Sequence, residues 1–183
     1  MELRAVVVFA NGFEDIEGVT PVDVLRRCGV KVSAASLDGK PVRGARGILI
    51  TPECSLAEIV SLPDAIVLPG GLPGAQHLAD DGRLSECVKA MNKEKKLISA
   101  ICAAPSYALS SFGVLSGKKV TCYPGTEEKL PSDTHYSPTD VICDGNIITS
   151  SGPAHALRFS LTIAKELLGP EKANEVAESM LFT

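Results

Sequence analysis

Basic residues do not predominate in this chain of 183 residues: 18 Lys and Arg stand against 22 Asp and Glu, for a formal net charge of −4. No Lys/Arg run concentrates the positive charge, so the footprint of a nucleic-acid binder or a membrane-surface protein is absent. No apolar stretch approaches the roughly 18 uncharged residues of a membrane span. Histidine occurs three times, at scattered positions, and no two of the six cysteines stand in a C-x-x-C spacing. Both facts argue against a zinc site. Neither a basic segment nor a cleavage site precedes the first apolar run, so the expectation is a cytoplasmic chain with reduced thiols. Each cysteine is by default a small buried hydrophobe. Repeats, linkers and low-complexity segments are also missing.

What is present is ordinary for a globular protein, with 45% hydrophobic and 22% charged residues. The length suits one domain, 1–183, which at this size buries roughly 70% of its unfolded surface and needs no staples. Apolar runs alternate with segments of helical spacing. "LRAVVVF" (3–9), "VKVSAASL" (30–37), "DAIVLPGG" (64–71) and "KLISAI" (96–101) read as strands, and the continuous Val-rich ones read as buried on both faces. Helices are expected over 14–29, 83–95, 104–113, 153–169 and 171–180. A β-hairpin is expected within 38–53, a second over 140–150 with Asp144-Gly145 at its turn, and a short strand plus turn over 118–125. This order predicts an α/β fold, a mainly parallel sheet with helices on both faces and a small hairpin. Sites in such sheets gather at the C-terminal ends of the strands. Three of those ends look chemically prepared: "FANGFEDIE", "LPGGLPG" and "SAICAAP".

In the last of these, an apolar strand runs into Cys102 with Ala100 and Ala104 two steps to either side. A sharp strand-to-helix turn demands small residues there, because larger side chains would strike their neighbours. A cysteine at such an elbow sits at a helix N-terminus, where the dipole and free N–H groups favour a thiolate and so a nucleophile or an oxidation target. The plainer alternative is a buried core cysteine. Glu14, Asp15 and Glu17 follow the first strand. They read either as solvated acids complementing a helix dipole or, for one facing Cys102, as a protonated hydrogen-bond donor to a thiolate. "PGG" (69–71) offers unshielded N–H groups suited to an oxyanion, or is a plain turn. His77, His135 and His155 read as surface or structural residues, since a general base needs a partner nearby.

Five separated stretches carry a resemblance: "GFEDIEGVTPVDVLRRCGVKV", "LPGGLPGAQHL", "LISAICAAP", "THYSPTDVICDGNIITSSGPA" and the closing helix. In that order they resemble the ThiJ/PfpI superfamily, and most closely its Parkinson disease protein 7, or protein deglycase, branch. The resemblance implies a flavodoxin-like three-layer sandwich that forms a homodimer. It assigns the reactive cysteine to Cys102, its carboxyl partner to Glu17, and the backbone donors to Gly71 and Ala103. An arginine near the cysteine maps to Arg46, expected across the dimer interface. Where some members carry a histidine before a proline, this chain has Tyr123, which shifts acid–base work onto Glu17. Arg46 and Tyr123 are thus candidates for contact with substrate or with the partner chain. Ser151 stands where some relatives carry a basic residue.

The resemblance also separates branches. Peptidase-like members have His directly after the cysteine, and here the residue is Ala103. The His-x-Glu pair of glutamine amidotransferases and a thiamine-pathway signature are not visible. What it implies is a glyoxalase or deglycase that needs no metal or organic cofactor. Cys102 attacks a methylglyoxal-type α-oxoaldehyde or its adduct, and Glu17 shuttles the proton. The alternative is an oxidative-stress sensor and chaperone using the same oxidisable cysteine.

Overall fold

Branched and small apolar residues fill the central strands. In the computed structural model, which describes residues 2–182, they form a sheet buried on both faces; positions 1 and 183, the ends of the expected domain, lie outside the described residues. The strands are β1 (Arg4–Phe9), β2 (Lys31–Ser36), β3 (Val42–Arg43), β4 (Leu49–Ile50), β5 (Cys54–Ser55), β6 (Ala65–Leu68), β7 (Leu97–Ile101), β8 (Lys119–Val120), β9 (His135–Tyr136), β10 (Val141–Asp144) and β11 (Ile147–Ser150). Seven of them make the main sheet in the order β10-β11-β7-β6-β1-β2-β5. Every neighbouring pair is parallel except β10 and β11. All residues of β6, β7 and β11 are buried, as a strand covered on both faces requires.

The helices are α1 (Asp15–Arg27), α2 (Gly74–Asp80), α3 (Gly82–Lys93), α4 (Ser110–Phe112), α5 (Ala156–Leu168) and α6 (Pro170–Ser179). A turn in π geometry, Pro105–Leu109, leads directly into α4. On one side α1 packs on α5, which carries α6; on the other α2 packs on the Pro105–Leu109 turn and α3 on β7. The expected architecture of a mainly parallel, flavodoxin-like sheet between helices is the observed one. The 38–53 hairpin is β3 paired antiparallel with β4. In the 140–150 hairpin the two-residue loop is Gly145-Asn146, one position later than expected, because Asp144 still pairs with Ile147. Gly145 takes the positive φ, 63°, that such a turn requires. The expected 118–125 strand shrinks to β8, which pairs with β9 outside the main sheet.

This topology decides where chemistry collects. From β1 the chain moves outward to β2, and it returns to place β6 on the other side of β1. The strand order reverses there, and the loops leaving β1 and β6 diverge to open a crevice. Glu17 follows β1, Gly70 and Gly71 follow β6, and Cys102 follows β7, so all three segments meet at the C-terminal ends of adjacent strands.

Candidate active site

Cys102 is the first residue past β7 and has a φ of +63°. A non-glycine residue in the left-handed region costs on the order of 1–3 kcal/mol and persists only where the surroundings over-determine it. Here they do. Its N–H donates to the Ser150 carbonyl at 2.8 Å, and its own carbonyl accepts the Tyr123 N–H at 2.8 Å. Ala100 and Ala104 are both fully buried, in keeping with the steric argument for small side chains at the elbow.

The three acids that spacing leaves equivalent take different places. Asp15 turns to the β3–β4 hairpin and accepts the N–H groups of Arg46 at 2.7 Å and Ile48 at 3.0 Å. Glu14 donates its N–H to the Gly70 carbonyl at 2.9 Å, and its carboxyl lies 3.7 Å from Arg46 Nε. Glu17 alone is fully buried, and its Oε2 accepts the Gly70 N–H at 2.9 Å. Its Oε1 meets no donor in good hydrogen-bond geometry. The group that interacts with this carboxyl is the Cys102 thiol.

Gly70 explains how the two come together. A Cβ on Gly70 would sit 2.6 Å from the Cys102 Cβ, 2.7 Å from the Ile101 carbonyl oxygen and 2.8 Å from Glu17 Oε2. Only a residue without a side chain allows this approach. Gly71, with φ of +83°, then turns the chain so that its N–H, like that of Ala103, is directed at the Cys102 sulfur.

The electrostatics follow from burial. Glu17 is pushed up from an ordinary 4.5 to about 7, first by burial and also by the nearby charge of Glu14; its hydrogen bonds with Cys102 and Gly70 oppose the rise. Cys102 is pushed up from 9.0 to about 12, first by burial and then by the Glu17 charge, against the Gly71 and Ala103 N–H groups. The expectation that a helix N-terminus by itself lowers this thiol is therefore corrected. Two amides do not outweigh desolvation plus a neighbouring carboxylate. The two groups titrate as a pair, which loses its first proton near 7 and its second near 12. Between about 7 and about 12 the pair carries one proton and one negative charge.

Above the pair opens a cleft of about 340 Å³. It is lined by Cys102 with Gly71 and Ala103, by Glu14, Ala45 and Arg46, and by Leu72, Tyr123, Thr126 and Pro153. Cys102, Gly71, Ala103, Arg46 and Tyr123 thus line one opening, and the buried Glu17 lies against Cys102 below it. Arg46, expected at the dimer interface, lines the cleft of its own chain, where Asp15 holds its amide. Leu72, Thr126 and Pro153 were not anticipated, although Leu72 directly follows Gly71 and Pro153 lies in the quoted "SSGPA". None of the three histidines lines this cleft: His77 Nδ1 lies 2.9 Å from the Asn11 carbonyl, and His155 lies 3.6 Å from Asp140. Among the described residues no group of three or more His, Cys, Asp and Glu side chains is placed to hold a metal ion.

Comparison with known proteins adds four findings. The DJ-1/PfpI family model matches residues 3–166. The chain is 43% identical to the Parkinson disease protein 7 homolog of Danio rerio, over 98% of this chain and 97% of that protein. It is 35% identical to the glutathione-independent glyoxalase DJR-1.2 of Caenorhabditis elegans, over 91% of this chain and 89% of that one. Among solved structures, the crystal structure of Drosophila melanogaster DJ-1beta superposes with a TM-score of 0.96 at 40% identity, with all of both chains covered.

Proposed function

This chain belongs to the DJ-1/PfpI family, and from that premise we propose that it is a cofactor-independent glyoxalase of the deglycase type, acting on methylglyoxal-like α-oxoaldehydes or their adducts. The observation that carries the reading is the buried Glu17–Cys102 pair sharing one proton beneath an open cleft. A relative named as a glutathione-independent glyoxalase supports the same class.

In this reading Glu17, a carboxylate above about 7, takes the thiol proton as the Cys102 sulfur adds to the aldehyde carbon. A C–S bond forms, the carbonyl electron pair moves to oxygen, and that oxygen takes the proton held by Glu17. The Gly71 and Ala103 amides carry the charge that develops on it. Glu17, now a carboxylate, removes the hydrogen of the same carbon as a proton. The hydroxyl proton passes to the neighbouring oxygen, and Glu17 returns its proton to the neighbouring carbon. The product is a thioester of lactate, which water cleaves to lactate and the free thiol. Carbon 1 is oxidised as carbon 2 is reduced, so no external electron acceptor is needed. On a glycated side chain, as the hemiaminal, the sulfur displaces the amine: the C–S bond forms as the C–N bond breaks, the amine leaves with the proton that Glu17 took from the thiol, and the same hemithioacetal results. Tyr123 contributes no imidazole, which leaves the transfers from carbon 1 and to carbon 2 to Glu17.

Incubation of the wild type and Cys102→Ser with methylglyoxal tests this. Lactate should form above background with the wild type, and its rate should fall at least about 10³-fold in the variant, the scale of loss when a nucleophile is removed. Lactate at background from the wild type would sink the reading.

The same geometry favours a second reading. A protonated carboxyl and two amides around one sulfur would hold a sulfinate as well as a thiolate, as an oxidation sensor and stress-responsive chaperone requires. None of the other five thiols has a carboxyl and two amides at its sulfur to hold an oxidised product. Mass spectrometry after mild peroxide should therefore find Cys102 as the stable sulfinate ahead of the others. Preferential oxidation of the exposed Cys143 would contradict it.

We read the whole chain, 1–183, as one cytoplasmic domain that pairs with a second copy. Ile16, Val19, Ile48 and Leu49 are exposed apolar residues on α1 and on the hairpin that Asp15 ties to it, which a second copy would cover. Sedimentation should give twice the chain mass of 19.2 kDa; a monomer at micromolar concentration would remove the dimer.

A further inference from the structure

The cleft is larger than a three-carbon substrate needs. Its volume of about 340 Å³ corresponds to roughly ten waters at about 30 Å³ each, and methylglyoxal, with five heavy atoms, fills about half of it. What lines the remainder decides which oxoaldehydes fit best.

The reacting carbon must bond to the Cys102 sulfur, and its oxygen must face the Gly71 and Ala103 amides. Glu17 lies buried beneath the sulfur. The carbon substituent therefore points out toward the mouth. In its lining Glu14 and Arg46 answer each other's charge, 3.7 Å apart, and offer a neutral group little. The apolar part of the lining is Leu72, Tyr123 and Pro153, with Leu72 52% and Tyr123 48% exposed.

Tyr123 is firmly placed. Its N–H is bonded to the Cys102 carbonyl, and its own carbonyl accepts the Thr126 N–H at 3.0 Å and hydroxyl at 2.8 Å. Its ring lies over Gly152, where an added Cβ would come 3.6 Å from ring Cδ2. A half-exposed aromatic face held at a fixed offset from the nucleophile gains by being covered, and most by another planar ring.

We infer that Tyr123 is a specificity-determining residue, forming with Leu72 and Pro153 an apolar wall that receives the substituent of the oxoaldehyde and favours aryl or larger alkyl groups over methyl. This rests on the aldehyde reading for its substrate. The wall itself can be tested without turnover.

Alkylation of Cys102 by phenacyl bromide and by bromoacetone compares an aryl with a methyl substituent in one chemistry. Each rate is normalised to that of N-acetylcysteine. In the wild type the normalised phenacyl-to-acetone ratio should be about tenfold, the discrimination expected of a partly open apolar subsite. Tyr123→Ala should bring it within about twofold of unity, and Tyr123→Phe should retain it, since the ring and not the hydroxyl makes the wall. The kcat/KM ratio of phenylglyoxal to methylglyoxal should move in parallel. A wild-type alkylation ratio near unity, or one that Tyr123→Ala leaves unchanged, overturns the inference. Missing lactate with the ratio intact overturns the aldehyde reading instead.

Discussion

Glu17→Gln should melt about 6–12 °C above the wild type at pH 8, and within about 2 °C of it near pH 4. At pH 4 the carboxyl is protonated in both the folded and the unfolded chain, so it differs little from an amide. As pH rises past 4.5 the unfolded chain releases this proton, while the folded chain keeps it until about 7. Between those values the folded state binds more protons than the unfolded state, so stability falls with rising pH. The loss is complete above about 7. A rise from 4.5 to about 7 corresponds to about 3 kcal/mol at about 1.4 kcal/mol per pH unit. For a domain of this size each kcal/mol moves Tm by about 2–4 °C. The amide should accept the Gly70 N–H as the carboxyl does, so the variant escapes the cost of a buried charge whose Oε1 has no donor. It should also lose lactate formation, because an amide neither gives nor takes the proton. Melting curves of the two proteins at pH 4, 6 and 8 check this. A gap independent of pH, or a variant less stable at pH 8, would contradict the raised carboxyl. A residue that destabilises the fold while serving its chemistry is the usual bargain at an active site.

The frame of the molecule is legible along the chain because buried parallel strands must be apolar throughout. "AVVVF", "AIVL" and "LISAI" announce themselves in this way. Cys102 is legible for a related reason, since a tight elbow excludes large neighbours. Elements of little burial are not legible. α2 has seven residues with only Gly74, Ala75 and Leu78 buried, too few to set a helical period, and it follows what reads as a turn. β5, β8 and β9 are two residues each and owe their pairing to the tertiary fold.

Within the site, local spacing cannot separate Glu14, Asp15 and Glu17, which share the first turn of one helix. What separates them is non-local: the hairpin that turns Asp15 outward, Arg46 beside Glu14, and Gly70, whose missing side chain lets Glu17 reach the sulfur. The thiol shift is invisible in the sequence for the same cause. A helix terminus can be read from a motif, but the depth of burial and the carboxyl beneath the thiol cannot.

The central claim is that Cys102 and Glu17 act as one titrating pair, and the pH dependence of Cys102 alkylation reads that pair directly. Iodoacetamide reacts with the thiolate alone. If the pair loses its first proton near 7 and keeps the second to about 12, the thiolate share of the singly protonated pair appears with that first loss. The wild-type rate, followed at Cys102 by mass spectrometry from pH 5 to 10, should then inflect near pH 7. Removing the acid leaves a buried thiol with no partner to trade a proton with. Its ordinary 9.0 is then raised by burial without the Glu17 charge. Glu17→Gln should therefore show no inflection near 7 and a single rise above 9 that begins below the wild type's second step, because the charge that raised the thiol further is gone. A wild-type profile with one inflection near an ordinary thiol value of about 8.5, unmoved by Glu17→Gln, would contradict the account.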